Sequence, residues 1–222
     1  MDVSEAVARR MAVRAFRADP VDAGVVRDIL AAACRAPSGG NLQPWRVYAL
    51  GGERLARFKA RIVDQYRRGE IEPPEYAVYP PGLRDPYRRR RAETRAERYG
   101  ALGYADDDKR GEEDLARRNF EFFGAPVGLF FCLDRRLGPP QWADVGMYMQ
   151  TVMLIAVERG LDTCPQEIWA RWPRTIREVL RLPDEHMVFA GMALGYRDPD
   201  HPLNRLRTQR EPLEKVAELL GF

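Results

Sequence analysis

Cysteine and histidine are both scarce in this chain. Its 222 residues include three cysteines, Cys34, Cys132 and Cys164, and two histidines, His186 and His201. An odd number of cysteines without metal-ligand spacing argues against a disulfide framework and against a zinc site. Two histidines give little basis for a His-rich metal centre or for a conventional Ser-His-Asp triad. We therefore expect no bound metal and a reducing, cytoplasmic environment.

Long apolar runs are also absent. The longest apolar stretches, such as 127–133 and 187–194, are far shorter than a membrane span. Charged side chains interrupt the first twenty residues, which hold no apolar core of the kind that a secretory signal needs. Hydrophobic residues make up 45% and charged residues 31%, which is typical of a globular protein rather than a disordered one. We expect no membrane partner.

Neither sign of charge is in strong excess. The chain has 36 lysines and arginines against 33 aspartates and glutamates, and a net charge of +3 does not indicate a nucleic-acid-binding protein. Positive charge is concentrated in a segment that we term the arginine run, which comprises Arg84, Arg88, Arg89, Arg90, Arg91, Arg95 and Arg98. The run is either a solvated helix face or mobile loop, or a lid that attracts an anionic substrate or cofactor. It has no aromatic stacking platform, so we expect no nucleic-acid partner.

Apolar periodicity predicts more helix than strand. The predicted helices cover 4–12, 22–36, 52–69, 112–123, 141–159, 174–181 and 212–220, and the predicted strands cover 45–50, 127–133 and 187–194. Ser4 and Asp22 are the expected N-caps of the first two helices. In the loop that follows the second helix, Gly39 and Gly40 are free to take positive φ. Because the order is not a regular βα alternation, we predict an α+β fold with a modest sheet covered by helices.

A single domain, residues 1–222, is the expectation for a chain of this length. Residues 70–111 differ from the rest in composition. They contain five prolines, the arginine run and few apolar side chains. We interpret this segment as a Pro/Arg-rich excursion from the domain and not as a second domain.

Arginines also gather near both ends of the chain. The two groups are Arg9, Arg10 and Arg14 at the start and Arg205, Arg207 and Arg210 near the finish. The planar fork of arginine suits phosphate, although such clusters are more often solvated surface. No G-x-G-x-x-G follows a strand and no G-x-x-x-x-G-K-[ST] occurs, so the motifs support neither a dinucleotide fold nor a P-loop.

Several segments read together resemble a known family. The run R-R-M-A-V-R-A-F at 9–16, followed by A-P-S-G-G-N-L-Q-P-W at 36–45, resembles the amino-terminal signature of FMN-dependent nitroreductases. Further matches follow in the family's order at 118–120, 123–126, 144–150, 160–161, 164–167, 191–196 and 204–213. The resemblance covers nearly the whole chain, is weakest over 70–111, and is closest to the branch that includes nitrobenzoate-type reductases.

The resemblance implies a nitroreductase-like fold, a mostly antiparallel sheet flanked by helices, and a homodimer that builds each FMN site across its interface. Arg10 and Arg14, with the backbone of Met11 and Ala12 between them, would contact the FMN phosphate, the ribityl chain and the pyrimidine edge. A guanidinium near N1, for which Arg14 is the candidate, would stabilise reduced flavin. The phosphate site would be completed by Arg207 and Arg210.

The remaining implied ligands lie in two loops and one strand. One loop would approach the flavin from the partner subunit and comprises Pro37, Ser38, Gly39 and Asn41. The second group would lie beside the isoalloxazine and comprises Pro165, Gln166, Glu167 and Ile168. The backbone N–H of Glu167 would lie near flavin N5, and Gly191 would border the ring and the phosphate region. No side chain is expected to act as a catalytic group, because the hydride chemistry belongs to the cofactor.

The implied activity is ping-pong transfer of electrons from NAD(P)H through FMN to a small aromatic acceptor, with nitroaromatic compounds leading. Two alternatives stay open at this point. The same fold could act on a quinone, a halogenated aromatic or a carbon–nitrogen bond, or the chain could bind flavin without turnover. One departure from the family concerns Ala12, because serine is commoner there. The loss of a hydroxyl contact to phosphate would weaken FMN binding by roughly 1.5–3 kcal/mol unless Arg207 and Arg210 compensate.

Overall fold

A four-stranded antiparallel sheet forms the centre of the molecule. The computed structural model describes residues 1–222. The strands are β1 (Arg46–Gly51), β2 (Val127–Asp134), β3 (Asp162–Gln166) and β4 (His186–Gly195). They lie in the order β1-β2-β4-β3, and every neighbouring pair is antiparallel. The predicted α+β class with a mostly antiparallel sheet is therefore confirmed.

Eight helices surround the sheet. They are α1 (Val3–Arg9), α2 (Ala23–Ala33), α3 (Gly52–Arg67), α4 (Tyr87–Ala101), α5 (Lys109–Phe120), α6 (Pro139–Glu158), α7 (Pro173–Leu180) and α8 (Pro202–Arg205). Short 3₁₀ turns add Gly39–Asn41, Phe122–Gly124, Glu167–Arg171 and Leu213–Lys215. None of the helices combines the length and the apolar character that crossing a bilayer requires.

Both faces of the sheet are covered by apolar side chains. On one face, α6 presents Val145, Tyr148 and Val152 to β2 and β4, as the helical spacing of 141–159 predicts. On the other face, α3 contributes Phe58 to an aromatic cluster around Trp169. Because side chains alternate across a strand, burial on both faces explains the continuous apolar sequences of β2 and β4.

A bulge in β4 fastens the start of the 70–111 segment to the core. The register between β2 and β4 shifts next to Phe131, and Phe189 is the extra residue in β4. The Glu75 carboxylate accepts a hydrogen bond from the Val188 N–H at 2.7 Å, and the Tyr76 hydroxyl donates to the Phe189 carbonyl. The backbone groups that the bulge removes from the ladder are thus satisfied by residues 75 and 76.

A second attachment lies four residues earlier in the chain. The buried Glu72 carboxylate accepts from the N–H groups of Arg174 at 2.7 Å and Thr175 at 3.1 Å, and from the Thr175 hydroxyl at 2.6 Å. These N–H groups belong to the first turn of α7, where a negative charge is favoured. Residues 72–76, which we term the anchor segment, are therefore tied to the core through Glu72, Glu75 and Tyr76.

Two expectations from the sequence are wrong. The N-cap of α1 is Asp2, whose side chain accepts from the Glu5 N–H, and not Ser4. Residues 212–220 form a single 3₁₀ turn instead of a helix, because their apolar side chains are exposed and no packing supports so short a helix. In the loop before β1, of the two glycines that are free to take positive φ, Gly40 does so, and Asn41 and Gln43 do so as well. Asparagine tolerates this left-handed conformation better than most residues.

Candidate cofactor site

The segment after α1 runs along the edge strand β3. The Val13 N–H donates to the Thr163 carbonyl at 3.0 Å, and Ala12 forms a parallel bridge with Thr163. Met11 and Val13 are buried here, whereas Arg10 and Arg14 are half-buried. The alternation of the chain therefore separates apolar side chains, which enter the core, from two guanidiniums that stay near the surface.

A buried asparagine fixes the backbone of this segment. The Asn204 side-chain oxygen accepts from the Arg14 N–H at 2.8 Å, and its amide donates to the carbonyls of Ala15 at 2.8 Å and Asp198 at 2.7 Å. All these bonds are made inside the protein, where unpaired polar groups are costly. Sequence reasoning gave Asn204 no role. In the structure it determines where the Arg14 backbone lies.

Three arginines from opposite ends of the chain meet beside this segment. Burial lowers the pKa of the Arg10 guanidinium, and the nearby charges of Arg210 and Arg207 lower it further. Arg210 donates only to its own neighbours, the Thr208 hydroxyl at 2.8 Å and the carbonyls of Thr208 and Gln209. We term Arg10, Arg207 and Arg210 the terminal arginine cluster. Its positive charges repel one another and have no carboxylate partner, which is the arrangement that binds an anion.

The donor set of this cluster fits the phosphate of FMN. Three guanidiniums supply several planar N–H donors and a charge opposite to that of a phosphate monoester. Arg14 lies on the same segment, with its Nη1 donating to the Ala12 carbonyl at 3.2 Å. The sequence prediction thus brought together Arg10, Arg207 and Arg210, and the structure places them as neighbours.

The end of β3 supplies the second wall of the predicted site. Gln166 is buried, and its side-chain nitrogen donates to the Asn119 carbonyl and side-chain oxygen, both at 2.6 Å. The Gln166 side-chain oxygen is buried without a hydrogen-bond partner. Pro165 and Ile168 are half-buried and Glu167 is exposed, so this short stretch presents both backbone and side-chain groups at the surface. Asn119 is a second polar residue to which sequence reasoning gave no role.

Gly191 has a packing reason to be glycine. It pairs with Gln166 in the ladder between β3 and β4. A Cβ at this position would lie 2.2 Å from the Trp169 Cδ1, far inside van der Waals contact. The close approach of Trp169 to β4 therefore requires glycine here, and the predicted contact of Gly191 with flavin remains a prediction.

The loop at 37–41 is held by α6. The Gly39 N–H donates to the buried Asp144 carboxylate at 3.2 and 3.3 Å, and the Ser38 hydroxyl accepts from the Gln43 N–H at 3.0 Å. Pro37, Gly39 and Asn41 are exposed. The hydrogen bonds of this loop lead to α6 and not to the terminal arginine cluster, so within one subunit it does not join that cluster.

The segment at 70–111 covers the end of β3. Burial raises the pKa of Tyr79, and the Glu167 carboxylate raises it further through its charge and a hydrogen bond. The Arg91 guanidinium carbon lies 4.6 Å from the Tyr79 ring centroid. Arg98 is half-buried beside Arg14 and Cys164. Sequence reasoning treated this segment as an excursion, and its only signal for these positions was the density of arginine.

A separate cleft of about 610 Å³ lies between α3 and α5. Two of its three arginines already have carboxylate partners. Arg117 pairs with Asp114 and Glu121, both at 2.7 Å, and Arg110 pairs with Asp108 at 2.7 Å. This cleft therefore lacks the concentration of unpaired positive charge that distinguishes the terminal arginine cluster.

Comparisons with known proteins agree over the whole chain. The model of the Nitroreductase family matches residues 7–196. Nitrobenzene nitroreductase of Ectopseudomonas oleovorans is 40% identical over 216 residues, which are 97% of this chain and 95% of that protein. The 4-nitrobenzoate reductase of Pseudomonas putida is 37% identical over 221 residues, or 100% of this chain and 96% of that protein. The crystal structure of the FMN- and NADPH-dependent nitroreductase NfnB from Sphigopyxis sp. strain HMH matches with a TM-score of 0.96 and 44% identity, covering 100% of both chains.

Proposed function

This chain belongs to the Nitroreductase family, and on that premise we propose that it is an FMN-dependent enzyme that uses NAD(P)H to reduce nitroaromatic compounds. The observation that carries the proposal is the terminal arginine cluster, in which unpaired guanidiniums from the two ends of the chain meet beside β3. The similar proteins named above act on nitrobenzene and on 4-nitrobenzoate, as their names state.

Each part of the site has a distinct task in this proposal. The terminal arginine cluster holds the phosphate, and Met11 and Ala12 contribute backbone alongside it. Arg14, positioned by Asn204, faces the pyrimidine edge and stabilises negative charge there. Residues 165–168 would support the ring, with the Glu167 N–H as the candidate donor to N5. When bound, FMN supplies the two-electron chemistry, accepting hydride from NAD(P)H and passing electrons to the acceptor.

The proposed reaction is ping-pong, because donor and acceptor would occupy the same face in turn. No side chain needs to act as acid, base or nucleophile. Cys164 is completely buried, and burial raises the pKa of its thiol, so it is a packing residue and not a nucleophile. Gly191 contributes by allowing Trp169 to pack behind the site.

We also propose that two copies of the chain, each a single domain over 1–222, form a homodimer. Apolar side chains are exposed at the end of the chain, where Leu220 is 79% and Phe222 103% exposed. Val3 and Val7 on α1 and Met147 on α6 add a second exposed apolar area. Burying these surfaces against a partner would bring Pro37, Ser38, Gly39 and Asn41 to the partner's flavin. Light scattering during size-exclusion chromatography should give twice the chain mass, and a monomer would contradict this proposal.

An anaerobic absorbance titration tests the enzymatic function directly. The purified holoenzyme is titrated with NADPH and, separately, with NADH, and 4-nitrobenzamide is then added as a neutral acceptor. We expect the flavin band to bleach with a donor and to return with the acceptor. Bound flavin that neither donor bleaches would favour flavin binding without turnover. Failure to bind FMN after reconstitution would contradict the assigned phosphate site.

A further inference from the structure

One arginine of the arginine run, Arg98, is half-buried and has no acidic partner, whereas the other unpaired arginines of the run, Arg84 and Arg91, are exposed. Arg88 pairs with Asp85 at 3.1 Å, and Arg89 pairs with Glu93 at 2.9 Å. Arg98, in contrast, is half-buried and makes one hydrogen bond, from Nε to the Thr94 carbonyl at 3.0 Å. Its two terminal nitrogens therefore have donors to offer, and a guanidinium removed from water without a counter-charge gains most from binding an anion.

The position of Arg98 is fixed by packing at both ends of α4. Near its start, Arg90 pairs with Glu211 at 2.9 Å, which ties α4 to the residue that follows Arg210. Near its end, Tyr99 is buried against α5, where a Cβ on Gly111 would lie only 2.9 Å from the Tyr99 ring. Because Arg98 precedes Tyr99, its backbone is held by this contact, and its side chain enters the site from a defined direction.

Around Arg98 the surroundings are positive and partly aromatic. Burial lowers the pKa of Arg98, and the charge of Arg14 lowers it further. Arg91 is close enough to act in the same direction, while its own guanidinium stacks on Tyr79 at 4.6 Å. Tyr79 in turn reaches Glu167, the residue at which the proposed flavin wall begins its 3₁₀ turn. Tyr79 and Arg98 would therefore offer an aromatic surface and a positive charge to the same ligand.

We propose that Arg98, assisted by Arg91, binds the carboxylate of an aromatic acid acceptor beside the proposed flavin site. This proposal rests on the proposed function, and it names the substrate class within it, nitroaromatic acids over neutral nitroaromatics. The carboxylate accepts from the guanidinium fork of Arg98 while the ring stacks toward Tyr79. Arg88, Arg89, Arg90 and Arg95 are not required, because they have carboxylates of their own.

The first experiment measures binding without turnover. Oxidised holoenzyme is titrated with benzoate and with benzamide, which match in shape and differ in charge, and the flavin absorbance change gives each Kd. We expect Arg98→Gln to weaken benzoate by about 10-fold to 100-fold, the range given by one charge-assisted hydrogen bond. Benzamide should change much less than benzoate, because it carries no negative charge to pair with the guanidinium. The control Arg88→Gln removes an exposed, paired arginine of the same helix and should alter neither ligand.

The second experiment measures turnover with matched acceptors. Arg98→Gln should lower kcat/KM for 4-nitrobenzoate through KM and should leave that for 4-nitrobenzamide and the Kd of FMN unchanged. Equal losses for both acceptors, or loss of FMN affinity, would overturn the proposal, since Arg98 would then serve the cofactor. If kcat/KM falls for NADPH but not for NADH, Arg98 binds the 2′-phosphate of the donor instead of a carboxylate. That result would also overturn the proposal. Wild-type enzyme that fails to reduce 4-nitrobenzamide would contradict the proposed function itself, whereas the benzoate titration still tests Arg98.

A conservative variant covers the case in which Arg98→Gln cannot be isolated with flavin. Arg98→Lys keeps the charge but loses the planar fork, so the preference for benzoate over benzamide should fall by about threefold. An unchanged preference in Arg98→Lys, together with an unchanged salt dependence of benzoate binding, would contradict recognition by the guanidinium.

Discussion

The terminal arginine cluster and the arginine run contain the same side chain in opposite electrostatic surroundings. In the run, Arg88, Arg89 and Arg90 each have a carboxylate within 3.1 Å, so most of their charge is already neutralised. In the cluster, the charges of two more arginines lower the pKa of Arg10. The cluster spans almost two hundred residues of sequence, whereas the run is contiguous. A binding site is thus indicated by the lack of a carboxylate partner in the fold, and not by the density of arginine along the chain.

Removing charge from the terminal arginine cluster should have the largest effect on FMN binding. The double variant Arg10→Gln/Arg207→Gln loses two charge-assisted contacts to phosphate, each worth roughly 1.5–3 kcal/mol. We expect the Kd of FMN, measured by quenching of flavin fluorescence, to rise by about 100-fold or more. The apoprotein should be no less stable to urea, because the substitution relieves repulsion. Binding of FMN within about threefold of wild type would show that the cluster does not hold the phosphate.

A pH series tests the stability of α8, the helix that carries Asn204. His201 Nδ1 accepts from the Leu203 N–H at 3.3 Å and so caps α8 in its neutral form. Burial and the adjacent Arg118 lower the pKa of His201 below 6.5, although Asp198 and Asp114 act in the opposite direction. Neutral His201 therefore contributes its full stabilisation at pH values above the pKa that it has in the unfolded chain. This stabilisation is lost as the pH falls from there through the lower pKa of the folded protein.

Urea unfolding of the apoprotein between about pH 5 and about pH 8 should show this loss of stability toward acid. The variant His201→Asn retains a side chain that caps helices well but does not titrate. Its unfolding free energy should depend less on pH over the same interval. The same slope in both proteins would mean that His201 does not couple the pH to the position of Asn204.

The smallest effect is expected in the arginine run itself. In Arg88→Gln/Arg89→Gln, two exposed ion pairs are lost, and such pairs contribute about 0–1 kcal/mol each. The free energy of unfolding should change by less than about 2 kcal/mol, and the Kd of FMN by less than about twofold. A large loss of FMN affinity in this variant would remove the distinction between the two groups of arginines.

Much of the core could be predicted from the sequence because its signals are local. The helical spacing of Val145, Tyr148 and Val152 predicts α6, and the apolar runs predict β2 and β4. The strand β3 escaped prediction because it is short and includes Pro165, which its position at the sheet edge tolerates. The helix α4 escaped prediction because it has one buried residue, Tyr99, and therefore no apolar stripe.

Only some of the site residues could be predicted from the sequence. The family resemblance supplied Arg10, Arg207 and Arg210, which the structure places together. It gave no role to Asn204 or Arg98, because one acts through backbone hydrogen bonds and the other through the docking of α4. Such roles depend on distant parts of the chain, so local patterns do not reveal them. The predicted helix at 212–220 is wrong for the same reason, since its apolar residues have no packing partner within one subunit.

Because the anchor segment is fixed to the core, the residues of the 70–111 segment that follow it can be redesigned separately from the sheet. Glu72, Glu75 and Tyr76 satisfy backbone groups of α7 and the β4 bulge, so these three positions belong to the scaffold. The next core contact of comparable burial is Tyr99. Between these two points no residue is fully buried, and the Arg90–Glu211 ion pair is the link to the neighbourhood of Arg210. Grafting or library design aimed at new acceptors should therefore vary residues 77–98, keep both junctions intact and retain Arg90.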